Sequence, residues 1–442
     1  MFAKNDFKDI KIANIPNGWD MVIIKNVAAI NELSLENNSE NTLISYIDIA
    51  SVDNRIINHI QEINLFDAPS RAKRILREYD ILISSVRPNL KHYTIIKNQV
   101  TNWVASTGFV VITSKDVYPY YLYYYLTTDN YTEYLTQIAE GHTSAYPSFN
   151  PDIIENTKIP LPPLPEQKAI ASILSSFDDK IELNNRMNKT LEQMARAIFK
   201  SLFVDFDPML AKLEGRDVGL LKEVGDLFPD SFEDSELGEI PKGWKISTIR
   251  EVATKIQYGL TQSASSEPIG PRFLRITDIQ GGKVNWNSVP YCHVSPEEYQ
   301  KYQLKPGDIL VARTGASTGE NIYLPVVPDS VFASYLVRFQ FAESAMARFV
   351  GSFMRTSTYY EYVKGSIGGS AQPNANAQTL ANVKIILPRF EIVEYYANLV
   401  ASFDARIYSN NMESNTLSSL RDSLLPKLMS GELRVPPEKV QE

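Results

Sequence analysis

The chain is written twice, and this constrains its fold more than any single motif does, because a repeat of half the length makes two similar domains with two similar connections. Ile15-Pro16-Asn17-Gly18-Trp19 recurs as Ile240-Pro241-Lys242-Gly243-Trp244, with Val27-Ala28 and Val252-Ala253 following at the same distance. Tyr46-Ile47-Asp48-Ile49 is echoed by Ile276-Thr277-Asp278-Ile279, and Asp80-Ile81-Leu82-Ile83 by Asp308-Ile309-Leu310-Val311. Val104-Ala105-Ser106 then aligns with Phe332-Ala333-Ser334, and Asn156-Thr157-Lys158-Ile159 with Asn382-Val383-Lys384-Ile385, so the offset drifts only between 225 and 230. From there it stays at 226 through Ser176-Phe177-Asp178 and Ser402-Phe403-Asp404, Asn184-Asn185 and Asn410-Asn411, and Thr190-Leu191 and Thr416-Leu417. Shared local propensity explains isolated matches. Ordered matches across both halves mean duplication.

Each half opens with short apolar runs, such as Met21-Val22-Ile23-Ile24 and Phe109-Val110-Val111-Ile112, broken by Asn, Gly and Pro, which predict strands. The tyrosine-rich stretch 120–138 and its counterpart 346–363 each predict a helix, giving an α+β domain. Ile159 to Pro165 must be extended, and Pro165 suits the first helical position. Beyond it, Ile170, Ile173, Phe177, Ile181, Met187, Leu191, Met194, Ile198 and Leu202 track a heptad seam, matched by Tyr396, Leu399, Phe403, Ile407, Leu417, Leu420, Leu424 and Leu428. Asn184 and Asn410 fall inside these seams, where a polar amide fixes register. Stripes of this length favour helix packed on helix, here an antiparallel coiled coil. Pro426 predicts an end or a kink in the second helix.

The net charge of -8 sits in one place: residues 205–239 hold 11 acidic and 3 basic side chains, and the remainder carries 41 of each sign. Charge therefore neither supports nor opposes binding to a polyanion. That acidic stretch, with Pro208, Gly215, Gly219, Gly225 and Pro229, reads as an irregular connector, although Leu220, Leu221, Leu227 and Phe228 could be buried. One cysteine and four scattered histidines offer no zinc spacing, so no metal is expected. The N-terminus has no apolar core of a signal peptide, and no apolar run approaches the roughly 20 residues that span a bilayer, so the cytoplasm is the expected compartment. No catalytic residues are expected. The Pro-Pro pairs lack the loop an amino-methyltransferase needs, Gly315 to Glu320 lacks the phosphate-loop lysine, and Cys292-His293 are chain neighbours that would not face each other on a strand.

The Ile-Pro-x-Gly-Trp openings, the run from Pro160 to Ala171 leading into a long helix, and the domain-helix-domain-helix order resemble the specificity subunits of Type I restriction-modification systems over nearly the whole chain. The second copy departs from this pattern, reading Arg389-Phe390-Glu391-Ile392-Val393 where the first has Pro163-Leu164-Pro165-Glu166-Gln167. The resemblance implies an α+β architecture of two tandem α/β target-recognition domains separated by two long helices, which form an antiparallel coiled coil within a pseudo-twofold internal repeat. Residues 1–162 would be the first recognition domain, 163–204 the first spacer helix, 205–239 an acidic linker, 240–388 the second domain, 389–430 the second helix and 431–442 a C-terminal tail. It further implies a non-catalytic reader of an asymmetric, bipartite site in double-stranded DNA, one half-site per domain. The partners would be methyltransferase (modification) subunits, two of them, with restriction subunits in some complexes; no cofactor and no membrane are implied. About 38 helical residues would span about 57 Å, more than one DNA turn.

Base edges are read by Arg, Asn, Gln, Ser and Thr, so polar segments that differ between the copies are the candidate DNA contacts. The first segment follows the Asp-Ile-Leu strand: Ser84, Ser85, Arg87, Asn89, Lys91 and His92 in one copy, Arg313, Thr314, Ser317 and Thr318 in the other. The second precedes the long helix: His142, Thr143, Ser144 and Tyr146 after Gly141, against Gly368, Gly369, Ser370, Gln372 and Asn374 after Gly365 and Ser366. Trp19 and Trp244 are assigned to cores. The rival reading is a coiled-coil adaptor whose two heads bind protein or glycan surfaces.

Overall fold

The computed structural model describes residues 15–35, 42–98, 101–141, 146–367 and 374–435. It divides into two compact units, Met1–Asn185 with Met412–Glu442, and Arg186–Asn411, so each long helix contributes to both. In the first unit a four-stranded antiparallel sheet runs in the order Ala28–Ile30, Phe109–Ser114, Ile81–Ser84, Tyr93–Ile95. The second unit repeats that order with Lys255–Tyr258, Leu336–Gln340, Ile309–Ala312 and Asn321–Tyr323. Each unit also pairs one parallel couple, Leu43–Ile47 with Trp103–Ser106 and Arg272–Leu274 with Ser330–Phe332. Ile81 to Ile83 and Ile309 to Val311 are buried on both faces, which is why these runs are continuously apolar rather than alternating.

The aspartates that open those central strands show the duplication at atomic level. Asp80 Oδ2 accepts from the backbone amide of Arg77 at 2.7 Å and Oδ1 from the Thr113 hydroxyl at 2.6 Å. Asp308 Oδ2 accepts from the Lys305 amide at 2.9 Å and Oδ1 from Gln340 at 2.7 Å, the same two positions on the same two elements. Burial raises the pKa of both carboxyls. From the ordinary aspartate value up to the raised value, the native chain therefore binds protons that the unfolded chain has released, and stability falls as pH rises through that window. Asp80→Asn is expected to cost about 1 kcal/mol for a weakened hydrogen bond and to flatten that slope, as urea midpoints across pH will show.

The tyrosine-rich stretch forms two helices, Pro119–Leu126 and Asp129–Glu140, not one. Thr128 makes the break: its backbone is extended and its hydroxyl accepts from the Tyr131 amide, an N-cap that ends one helix and starts the next. The counterpart is likewise split, into Ser344–Phe353 and Ser357–Ile367. Tyr121, Tyr124 and Tyr131 are buried in the first core, where Tyr121 donates to the Pro160 carbonyl at 2.7 Å and Tyr124 to Asp178 at 2.8 Å.

The long helices run Leu164–Phe203 and Phe390–Ser430 and lie antiparallel within each unit. In the first unit Asp178 meets Arg421 and Asn184 meets Ser414; in the second, Asn188 meets Asn411 and Phe199 meets Tyr396. The inward positions are 170, 174, 177, 181, 184, 188, 191, 195, 198 and 202, and the second helix presents the same positions 226 residues on. Met194 and Leu420, both expected in the seam, are 45% and 47% exposed, and the short Ala195 and the Asp178-paired Arg421 take the inward place. Asn184 and Asn410 are both buried: Asn184 donates to Glu413 at 2.9 Å and Ser414 at 3.3 Å, and Asn410 donates to Asn188 at 2.8 Å. Pro426 does not end the second helix, which continues to Ser430 because Leu425, Leu428 and Met429 are buried in the first core. Residues 205–239 are ordered, with helices Asp207–Leu213 and Lys222–Gly225 and the hairpin Phe232–Ser235, Gly238–Pro241; Met209 and Phe228 are buried in the second core, while Leu221 is exposed.

Candidate nucleic-acid interface

In the first unit the chain leaving Ile81–Ser84 is laid against the segment that precedes the long helix. Phe149 N donates to Ser85 O at 3.1 Å, Arg87 N donates to Pro147 O at 2.8 Å, and Val86 bridges Ser148 between them. The first candidate segment and the stretch that follows Tyr146, far apart in sequence, therefore form one ridge. Arg87 and Lys91 adopt positive φ, 49° and 56°, at either end of the single turn Pro88–Leu90. The Arg87 guanidinium lies 5.0 Å over the Tyr146 ring, and Arg87, Asn89 and Tyr146 are exposed. Other expected contacts are engaged internally. The Ser84 hydroxyl donates to Val86 O at 2.8 Å, the Ser85 hydroxyl to Gly108 O at 2.9 Å, and His92 Nδ1 sits 2.5 Å from Val52 O. Lys91 pairs with Asp129 at 2.6 Å. His142, Thr143 and Ser144 lie outside the described residues.

The second unit builds the same ridge. Ala375 N donates to Arg313 O at 2.9 Å and Thr314 bridges Asn374, the counterparts of the Phe149 to Ser85 bond and the Val86 bridge. Arg313, Thr314, Ser317 and Thr318 are half-buried and Asn374 is exposed; Gly315 starts the short turn Gly315–Ser317 at φ 73°, and the Thr318 hydroxyl donates back to Gly315 O at 2.7 Å. Gly368, Gly369, Ser370 and Gln372 lie outside the described residues. Sequence reasoning missed Tyr258: Arg313 lies 4.9 Å over its ring, and its hydroxyl accepts from Ala377 N at 2.9 Å. A tyrosine at a strand end before a glycine was the available signal.

Each ridge thus carries an arginine over a tyrosine, from positions that do not correspond in the repeat. Arg313 occupies the place of Ser85, and Tyr258, by strand register, that of Glu32, which pairs with Arg77 at 2.8 Å in the first unit. One backbone frame therefore presents two different polar surfaces. Among the described residues no group of three or more His, Cys, Asp or Glu side chains could hold a metal, and no helix is long and apolar enough to cross a membrane. Asp308 lies in the core beside Arg338, whereas Glu320 is placed near Arg355. Cys292 is buried, with its thiol pushed up to about 11 by desolvation.

Two copies of one reading frame on paired helices define a family, and the family model for the Type I restriction modification DNA specificity domain matches residues 16–193 and again 241–418. The chain belongs to that family. The Type I restriction enzyme HindI specificity subunit of Haemophilus influenzae is 27% identical over 88% of this chain and 94% of its own length. The MjaIX specificity subunit of Methanocaldococcus jannaschii is 27% identical over 98% of this chain and 97% of its own. A crystal structure of a Type-I restriction-modification system S subunit from M. genitalium shares the fold at a TM-score of 0.55 and 13% identity, covering 94% of this chain and 97% of that one. The adaptor reading finds no support among these relatives.

Proposed function

We propose that the chain is the non-catalytic, sequence-reading subunit of a Type I restriction-modification complex, that each unit reads one half of a bipartite site in double-stranded DNA, and that the two half-sites differ. The observation that carries this reading is the repeated ridge, in which the Val86–Ser148 and Thr314–Asn374 bridges gather divergent polar segments onto one backbone frame. Base edges are read by short polar side chains and arginine on a rigid frame, and a different side-chain set on the same frame reads different bases. Residues 1–162 and 240–388 act as the readers. Residues 163–204 and 389–430 set the gap between half-sites and dock two methyltransferase subunits in the cytoplasm, with restriction subunits joining some complexes. In this reading Arg87, Asn89 and Tyr146 lead the contacts of the first unit, and Arg313, Thr314 and Asn374 those of the second. His142, Thr143, Ser144, Gly368, Gly369, Ser370 and Gln372 complete the proposed surface.

Arg87→Ala is expected to weaken binding of the assembled complex to its methylated motif by roughly 5- to 150-fold if the side chain reads a base, with the opposite half-site still required. Competition binding against duplexes altered in either half measures this. A loss shared equally by unrelated duplexes would make Arg87 a phosphate contact instead.

A further inference from the structure

We propose that Arg313 reads a guanine in the half-site bound by the second unit and that Tyr258 is the positioning residue that aims it. This rests on the assignment of the units as DNA readers and adds a base identity and a residue that the candidate segments did not contain.

Tyr258 is the last residue of its strand and 40% exposed, yet it is held at both ends. The next residue is Gly259, where a Cβ would stand 2.3 Å from Ala333 O and 2.4 Å from Phe332 O; only glycine lets the strand end lie so close to that backbone. At the far end of the side chain, the hydroxyl accepts from Ala377 N, the first residue of the helix Ala377–Ala381. Arg313 lies over this fixed ring, and its own backbone is tied down by the Ala375 amide. Tyr258 therefore joins three segments, the strand end, the chain leaving Ile309–Ala312 and the ridge ahead of the long helix.

Among the described residues the arginine so held leaves its guanidinium donors unused. Its Nε is buried without an acceptor, and no described residue accepts a hydrogen bond from its guanidinium. A donor fork restrained by an aromatic ring loses little further freedom on binding. In the major groove guanine offers N7 and O6 as two adjacent acceptors that match that fork, whereas adenine places a donor beside its N7. A phosphate would also accept from Arg313, but it would carry no sequence information.

The test uses the whole complex, with each variant expressed beside the wild-type modification subunits in a strain lacking the native gene, and reads the methylated motif by long-read sequencing. In R313A one guanine of one half-site is expected to lose discrimination by about 10- to 100-fold, while the other half-site and the gap are unchanged. R313K keeps the charge without the fork and is expected to relax the same position, which serves if R313A does not accumulate. Y258L should relax that position partly, and Y258F, which keeps the ring but loses the bond from the Ala377 amide, should relax it less. An unchanged motif in R313A, relaxation at a base other than guanine, loss of all methylation in both R313A and R313K, or a uniform drop in affinity with a shallower salt dependence overturns the proposal. Failure of the DNA-reading assignment is a separate result: deleting the whole gene would then leave every motif methylated.

Discussion

Asp178→Ala is expected to cost the first unit on the order of 3–5 kcal/mol, the range found when one partner of a buried ion pair is removed. The Asp178 carboxylate receives the Tyr124 hydroxyl and the Arg421 guanidinium, with Arg55 3.9 Å away, and these arginine side chains are each only 7% exposed. Arg55 is stacked over Tyr93, Tyr123 and Tyr124 at 5.2 to 5.4 Å, an arrangement that tolerates a cation but does not replace its counter-ion. Without the carboxylate, two buried cations face each other across the join between the recognition fold and the long helices. Hydrogen exchange should report the loss in Pro119–Leu126, while Ser344–Phe353 keeps its protection because the equivalent Asp404 there still holds Arg348 at 2.7 Å. Asp178→Asn, which keeps an acceptor for Tyr124, should lose less. Equal protection loss in both helices would mean that the carboxylate does not act locally.

The two repeated tryptophans are expected to respond differently to the same change. Trp244→Ala should destabilise the second unit by about 3–5 kcal/mol, since it empties a cluster in which the indole meets Phe203, Phe206 and Phe228. Trp244→Phe should cost little more than the lost volume, because the buried Nε1 has no acceptor among the described residues. At Trp19, by contrast, Nε1 donates to Glu166 at 3.0 Å, and Glu166 also holds Arg434, whose guanidinium lies 5.6 Å over the indole. Trp19→Phe should therefore lose about 1.5–3 kcal/mol from a hydrogen bond to a charged group. Urea unfolding of the three variants compares them directly, and equal costs for the two Trp→Phe changes would contradict the distinction.

Much of the architecture could be read from the chain because duplication tests itself: a motif found twice at one offset must occupy one structural place. Asp80 and Asp308 hold matching bonds, and the long-helix seams agree position for position at 226. The misreadings have local causes. Met194 and Leu420 looked like seam residues by hydrophobicity, but the heptad count selects Ala195 and Arg421, and the arginine is admissible only because Asp178 faces it. Asn184 and Asn410 were legible as buried amides; their partners Ser414 and Asn188 were not, since antiparallel pairing is a property of two helices. The candidate segments could be found by divergence, but not their meeting through the Val86–Ser148 and Thr314–Asn374 bridges, nor Tyr258, which joins the ridge only after folding.

The central claim, that two different readers share one frame, is tested most directly by mapping methylated bases across the genome with this gene present and deleted. The account predicts that one motif disappears on deletion, gapped and with two unlike halves. A motif that is continuous or palindromic, or a methylation pattern that does not change, would contradict it.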